Sequence, residues 1–394
     1  MKQMKAMLLL AIFTFCVIPA SAMPGVYENL SNNEIDTLSH FYQNNTEFVY
    51  VFNQSCEIQK DYPFFSYTLA LKCHRQVIKK DILNQIQREG KEQTIKNLNE
   101  SLRKEINDLG SEIYQLNNSE RTFSANEWLS LSSEELSKSA QKLREAQEYL
   151  GRGNADNAVD SLVGSSFDLY KAKIYLNVAK EESYSQSKID AEEFKTLEKG
   201  IAQKWISDAE NKIQELKTAE VGEFNGGLPQ DYLNISKKYY SEENYYLSTM
   251  HAASSIALVK IELSNETEIT NQSVIITKAK EELTVSKNSF ENITATQGID
   301  SPITELHLEM AGVYLEEADK NDSASVYPLA VDSIRNSIIA REQTRAVSEL
   351  LANISEPADP LTISEDTQKV SSGIMDSGGK LLKIVSKKFT QYFF

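Results

Sequence analysis

Apolar residues return at every third or fourth position through two long polar stretches. Ile95, Leu98, Leu102, Ile106, Leu109, Ile113 and Leu116 form one stripe. Leu197, Ile201, Trp205, Ala209, Ile213 and Leu216 form another, and a weaker one runs around Ser273 to Phe290. Steps of three and four put such side chains on one side of a helix, as a coiled-coil-like seam. Between the stripes a phrase recurs: a helix ending in aromatics, a polar turn with Asn, then a helix rich in small residues. Leu143 to Ser165 and Leu233 to Ser255 are its clearest copies. With Asn154 laid on Asn244, Tyr149-Leu150 meets Tyr239-Tyr240, and Ala158 meets Ser248. A looser copy runs from Leu308 through Tyr314-Leu315 and Asn321 to Ala330. A degenerate first copy fits Gln54 to Ala70, with Pro63 at the turn, where its fixed φ suits a helix start. In that copy Glu47 to Phe52 reads as helix, although the same residues suit a strand.

A repeated hairpin plus an intervening long helix makes a three-helix unit, and internal repetition is the mark of a helical array. The expected fold is all-α: about three to four such units, each a connecting helix and a hairpin, as a solenoid or elongated bundle. Only 15 Gly and 8 Pro in 394 residues leave few breaks. The clear ones are Asn225 to Pro229 and Gly298 to Pro302. The expected organisation is an N-terminal unit over 23–120, repeats over 121–355, a Pro/Gly/Ser/Asp linker over 356–379, and a last helix over 380–394.

The first residues read as an export signal. Lys2 and Lys5 precede an apolar run from Met7 to Ile18, and Ala20-Ser21-Ala22 is a small-x-small cleavage site. The run is shorter than the roughly 20 residues a spanning helix needs. Cleavage after Ala22 would leave Cys56 and Cys73, and an even count in an exported chain favours one disulfide. Metal binding would need more ligands, and no CxxC or HxxxH spacing occurs. Sequons at Asn29, Asn44, Asn53, Asn99, Asn117, Asn234, Asn265, Asn271, Asn292, Asn321 and Asn353 suggest a glycosylated, extracytoplasmic surface. A formal charge of −16 repels nucleic acid and anionic lipid, which argues against a DNA or RNA role. At the far end, Leu381, Leu382, Val385, Phe389, Tyr392 and Phe393 gather on one helical face beside Lys380, Lys383, Lys387 and Lys388. Three covers are open to that face: a membrane interface, a partner, or the protein's own core.

Catalytic signatures are sparse. Ser139-Ala140-Gln141-Lys142 matches S-x-x-K, but its companion motifs are missing and it falls on an expected helix. There is no G-x-S-x-G, and Gly378-Gly379-Lys380 lacks the strand and the Ser or Thr of a phosphate loop. Four histidines are scattered. No catalytic, cofactor or metal residues are assigned.

The phrase carried by Ala146, Tyr149, Leu150, Gly153, Asn154, Ala158 and Leu162, and partly kept at Tyr239, Tyr240, Asn244 and Ala252, resembles the helical region that follows the protease domain in secreted archaeal Lon-like proteins. It is loosely similar to tetratricopeptide hairpins as well. The Lon-like family's catalytic Ser lies in a Gly-Pro-Ser-Ala-Gly-type stretch, and this chain has no Gly-Pro dipeptide, so the resemblance implies an exported helical module and no peptidase residues. The expected function is an exported, non-enzymatic scaffold or protein-binding module serving an envelope or secreted protein. The alternatives are a membrane-surface accessory to a separate protease and a cryptic hydrolase.

Overall fold

The computed structural model describes residues 25–42, 49–183, 188–219, 227–264, 271–297, 299, 301–320 and 326–354. These form twelve helices: α1 (Val26–Tyr42), α2 (Val49–Ile58), α3 (Pro63–Glu89), α4 (Lys91–Asn117), α5 (Phe123–Gly151), α6 (Ala155–Glu182), α7 (Ala191–Thr218), α8 (Gly227–Ser241), α9 (Tyr245–Ser264), α10 (Gln272–Gln297), α11 (Pro302–Lys320) and α12 (Val326–Ala352). The described residues contain no strand, only an isolated antiparallel bridge between Arg121 and Ile189. The expected all-α array is the observed architecture.

The two clear copies of the phrase fold alike to the level of single hydrogen bonds. Asn154 N–H donates to the Tyr149 carbonyl at 2.9 Å, and Asn244 N–H to that of Tyr239 at 3.0 Å. Each such six-residue closure ends a helix on a left-handed residue, Gly153 (φ 72°) or Glu243 (φ 60°). Each Asn then caps the next helix, its Oδ1 accepting from Asn157 N at 3.1 Å or Leu247 N at 3.2 Å. Farther along, Ser165 Oγ donates to the Ser139 carbonyl and Ser255 Oγ to the Pro229 carbonyl, at 2.9 and 2.7 Å. Small buried residues let these helices touch, so serines can bond the facing backbone. Only Gly adopts the left-handed turn without a Cβ penalty. Gly153→Ala should therefore cost about 1 kcal/mol, and Glu243→Gly should raise the melting temperature, both read by thermal unfolding.

Packing groups the helices by threes. The long helices α4, α7 and α10 lie against the hairpins α5/α6, α8/α9 and α11/α12. At the N-terminus α1 packs on α2/α3. The apolar stripes are the seams: Ile95, Leu102, Leu109 and Ile113 are buried in α4, and Ile201, Trp205, Ala209, Ile213 and Leu216 in α7. Leu162 and Tyr239 are buried as the repeat requires, while Tyr149 and Leu150 are only half-buried. Of Glu47 to Phe52, the stretch from Val49 is helix, the start of α2, and Glu47 and Phe48 lie outside the described residues.

Four units sort into two halves. In the first half the main core runs from Leu30 to Ala179 and is centred on Trp128, which sits among Tyr27, Phe64 and Tyr175 with ring centroids 5.6–6.0 Å away, and a smaller cluster gathers Leu38, Tyr42, Ala70 and Cys73. Glu34 ties the first two units: its carboxylate meets His74 Nδ1 at 2.6 Å and accepts from the Tyr170 hydroxyl at 2.6 Å. The other half holds two cores, one around Trp205 and Tyr246 and one from Ala257 to Ala340. The first and fourth units also touch, through α3 and α11. Glu309 accepts there from the backbone N–H groups of Phe64 (3.2 Å) and Phe65 (2.5 Å). The Tyr62 hydroxyl donates to Glu316 at 2.5 Å. Tyr62 lies so close to Gly312 that a Cβ there would fall 2.6 Å from its ring.

The Cys56–Cys73 disulfide is corrected. Ser66 Oγ donates to the Ser55 carbonyl at 2.7 Å, which sets how α2 passes α3. Cys56 sits next to Ser55, whereas Cys73 is seven residues beyond Ser66, roughly 10 Å farther along the helix. A disulfide needs Cα atoms about 5.5–6 Å apart. Both thiols are free, Cys56 exposed and Cys73 buried. The signal segment 1–22, the linker 356–379, and the tail with Leu381, Leu382, Val385, Phe389, Tyr392 and Phe393 lie outside the described residues.

Candidate functional site

Helix α5 belongs to both halves, and its side chains build the polar seam between them. Leu131 packs against the core of each. One turn on, Glu134 faces α8 and α9. It pairs with Lys138 Nζ at 2.7 Å and accepts from the Tyr239 hydroxyl. Asn244, already the cap of α9, also donates Nδ2 to the Ser130 carbonyl at 3.1 Å. The His251 ring stacks on Tyr239 at 5.2 Å between centroids and leans on Tyr232 at 5.7 Å. His251 Nδ1 is buried without a hydrogen-bond partner.

Charge at this seam follows burial and pairing. Burial pushes His251 down to about 4, with His307 and Lys138 adding to the shift against Glu134, so its imidazole is neutral. Burial would raise Glu134, but Lys138, Tyr239 and His251 outweigh it and hold the carboxyl below its ordinary range. Burial would likewise lower Lys138, and Glu134 and Glu135 reverse that. Tyr239 is raised by burial and by Glu134 beside it.

A second ionic chain runs inside the α5/α6 hairpin. Glu135 pairs with Lys138 at 3.0 Å and with Lys171; Lys171 reaches Asp168 at 3.4 Å, and Asp168 holds Lys142 at 2.6 Å. Gly164 makes room for this lysine, since a Cβ there would come 2.7 Å from Lys142 Cδ. Lys142 and Gly164 contribute to an open polar cleft of about 350 Å³ that also involves Arg75, Tyr149 and Ser161. The S-x-x-K match dissolves here. Ser139 Oγ is buried and bonded to Ser165, at 2.8 Å to its carbonyl, while Lys142 turns to Asp168. A serine nucleophile needs a base within hydrogen-bond reach.

At the start of α5 the seam continues as a buried network. Arg121 Nε donates to Asn126 at 2.8 Å, and Asn126 Nδ2 donates to Glu198 of α7 at 2.7 Å. Burial lifts Glu198 to about 7, against the pull of Arg121 and the Asn126 hydrogen bond. Phe123 meets Phe194 and Tyr246 edge-on at 6.0 and 6.3 Å.

Most sequon asparagines among the described residues sit on the outside, with a qualification from packing. Asn29, Asn53, Asn117, Asn234, Asn271, Asn292 and Asn353 are exposed, and Asn99 is half-buried and bonded to Gln147 at 3.0 Å. Asn44, Asn265 and Asn321 lie outside the described residues. At Asn29, Asn53 and Asn234 the sequon serines, Ser31, Ser55 and Ser236, are fully buried. Ser31 bonds Ser66 and Ser236 bonds Ser248, so packing alone accounts for those two hydroxyls. Among the described residues no cluster of three or more His, Cys, Asp or Glu is placed to hold a metal, and no helix is long and apolar enough to cross a membrane.

Sequence reasoning did not find the seam. Its i,i+4 pair, Glu134 and Lys138, reads as an ordinary solvated helix face, and nothing local marks Tyr239 and His251 as its partners. The one available signal was the repeated Asn244, whose second bond crosses to α5. Comparison of the chain with protein-family models, with curated proteins and with solved structures finds no match.

Proposed function

We propose that this chain is an exported, non-enzymatic helical scaffold, a protein-binding module of the cell envelope. The observation that carries the reading is the seam itself. Tyr232, Tyr239 and His251 come together there with Glu134 and Lys138 at the junction of two separately cored halves. Tyrosines with a polar end on a rigid helical frame suit contact with another protein. The ionisable groups are engaged with one another: Lys138, Lys171 and Lys142 with carboxylates, Tyr239 with Glu134. Tyr239 and the buried carboxylates hold the shape, and the partly exposed Tyr232 and Lys138 are what the seam offers to a partner. The partner is an envelope or secreted protein, in keeping with the expected N-terminal signal and with the resemblance to the helical region of secreted Lon-like proteins.

A photo-cross-linking residue placed at Tyr232, and separately at Tyr114 on the outer side of α4, tests this. Tyr114 is 71% exposed and lies away from the seam. A discrete cross-linked protein from position 232 and none from 114 is the expected result. Equal labelling from both positions, or none from 232, would end the reading. Amino-terminal sequencing of exported material should begin at Met23.

A further inference from the structure

We propose that the contact between α3 and α11 is a latch: the two halves part there while each keeps its own core. The seam between α5 and α6, or between α9 and α12, is lined by fully buried small and apolar residues, such as Ala158, Ser165, Ala257 and Ala340. The α3–α11 contact is built differently. Helix α3 begins at Pro63, and its N-cap residue Tyr62 supplies no side-chain cap. The first free N–H groups of the helix, at Phe64 and Phe65, are bonded instead by Glu309, which stands 245 and 244 residues away in the other half. A carboxylate at a helix N-terminus is favourable both as an acceptor and as a charge facing the helix dipole. Tyr62 adds its hydroxyl to Glu316 and rests on Gly312, a seat that no larger residue would leave open. Glu309, Gly312 and Glu316 share one face of α11, spaced by three and four residues. Leu306, only partly buried, is the apolar side chain that α11 adds to the first core.

The bonds of this contact are ones that water can replace. When the halves part, the α3 N–H groups, the Tyr62 hydroxyl and both carboxylates become solvated, and no buried polar group is orphaned. Parting there takes only Leu306 from the first core, while Phe123 and Leu131 of α5 stay on the second, so neither tryptophan needs to be uncovered. The halves stay joined through α5, where Asn126 bonds Glu198 and Asn244 bonds Ser130. Opening itself is independent of what the protein binds; only its use, in widening access to the seam, rests on the binding reading.

The test uses the full chain with Cys56→Ser and Cys73→Ser and spin labels at Asp61→Cys and Lys320→Cys, both exposed and on opposite sides of the contact. Pulsed electron resonance should give one dominant short distance in this parent. Glu309→Ala and, separately, Tyr62→Phe should add a longer distance at the expense of the short one, with helical content unchanged. A single unaltered distance in both folded variants would overturn the latch. Loss of helical structure in the mild Tyr62→Phe variant would also overturn it, since the contact would then be part of the core. Should Glu309→Ala fail to fold, Tyr62→Phe decides.

Discussion

Trp128→Ala should destabilise the first half by about 3–5 kcal/mol and leave the second half nearly untouched. The indole is 1% exposed and is the hub on which Tyr27, Phe64 and Tyr175 converge. Truncation leaves a cavity lined by three aromatic rings that cannot collapse without moving α1, α3 and α6 together. The chain has 2 tryptophans, one in each half, so the variant retains Trp205 as a reporter of the second. In urea, the early part of the helical signal should shift to lower denaturant while the Trp205 fluorescence transition stays in place. A common shift of both signals would mean that the halves unfold as one.

The second large effect is hidden in the wild type and emerges in variants. Glu198 is raised from 4.5 to about 7, chiefly by burial. Across that window the folded state holds a proton the unfolded state has lost, so stability falls as pH rises. Glu305 is raised to about 7 by burial and by Glu309 beside it, and it acts in the same direction. His251 is lowered from 6.5 to about 4, again by burial. There the unfolded state holds the extra proton, so stability falls as pH drops. His307, lowered by burial, adds to His251. Shifts of this size correspond to roughly 3 kcal/mol each for Glu198 and His251. Their windows overlap between the ordinary carboxyl and imidazole values, where the opposing slopes cancel. Stability should be nearly level there in the wild type. Glu198→Gln should make it fall on acidification, and His251→Phe, which keeps a ring on Tyr239, should make it fall as pH rises. Urea titrations at three pH values would read both. Unchanged slopes in the two variants would refute the assignment.

The parts of the fold legible in the sequence are those written locally. The stripes of α4 and α7 needed only helical periodicity, and they are seams because each side chain along them meets a neighbouring helix. The hairpin turns were legible because Asn154 and Asn244 do the same two jobs, closing one helix and capping the next. Pro63 marked the start of α3 for a similar local reason. The disulfide failed on a quantity the sequence does not state, the register of α2 on α3, which a single Ser66-to-Ser55 bond decides. The seam and the latch failed for a different reason. Glu134, Glu309 and Glu316 look like any carboxylates on helices of a chain with net charge −16. What distinguishes them is a tyrosine hydroxyl or a helix end brought in from more than a hundred residues away. Sequons at Asn29 and Asn234 show the converse: a pattern with a recognised meaning in sequence can be supplied in part by a serine that packing requires.

Four three-helix units form two halves, each with its own tryptophan-centred core, joined through α5 and the α3–α11 contact. Native-state hydrogen exchange on the full chain, followed residue by residue as urea is raised through the sub-denaturing range, tests this arrangement most directly. Amides buried in α5 and α6 and those buried in α9 and α12 should converge on two distinct exchange isotherms, with the first turn of α3 opening before either. Convergence of all these amides on one isotherm, including Phe64 and Phe65, would mean instead that the chain opens as a single unit.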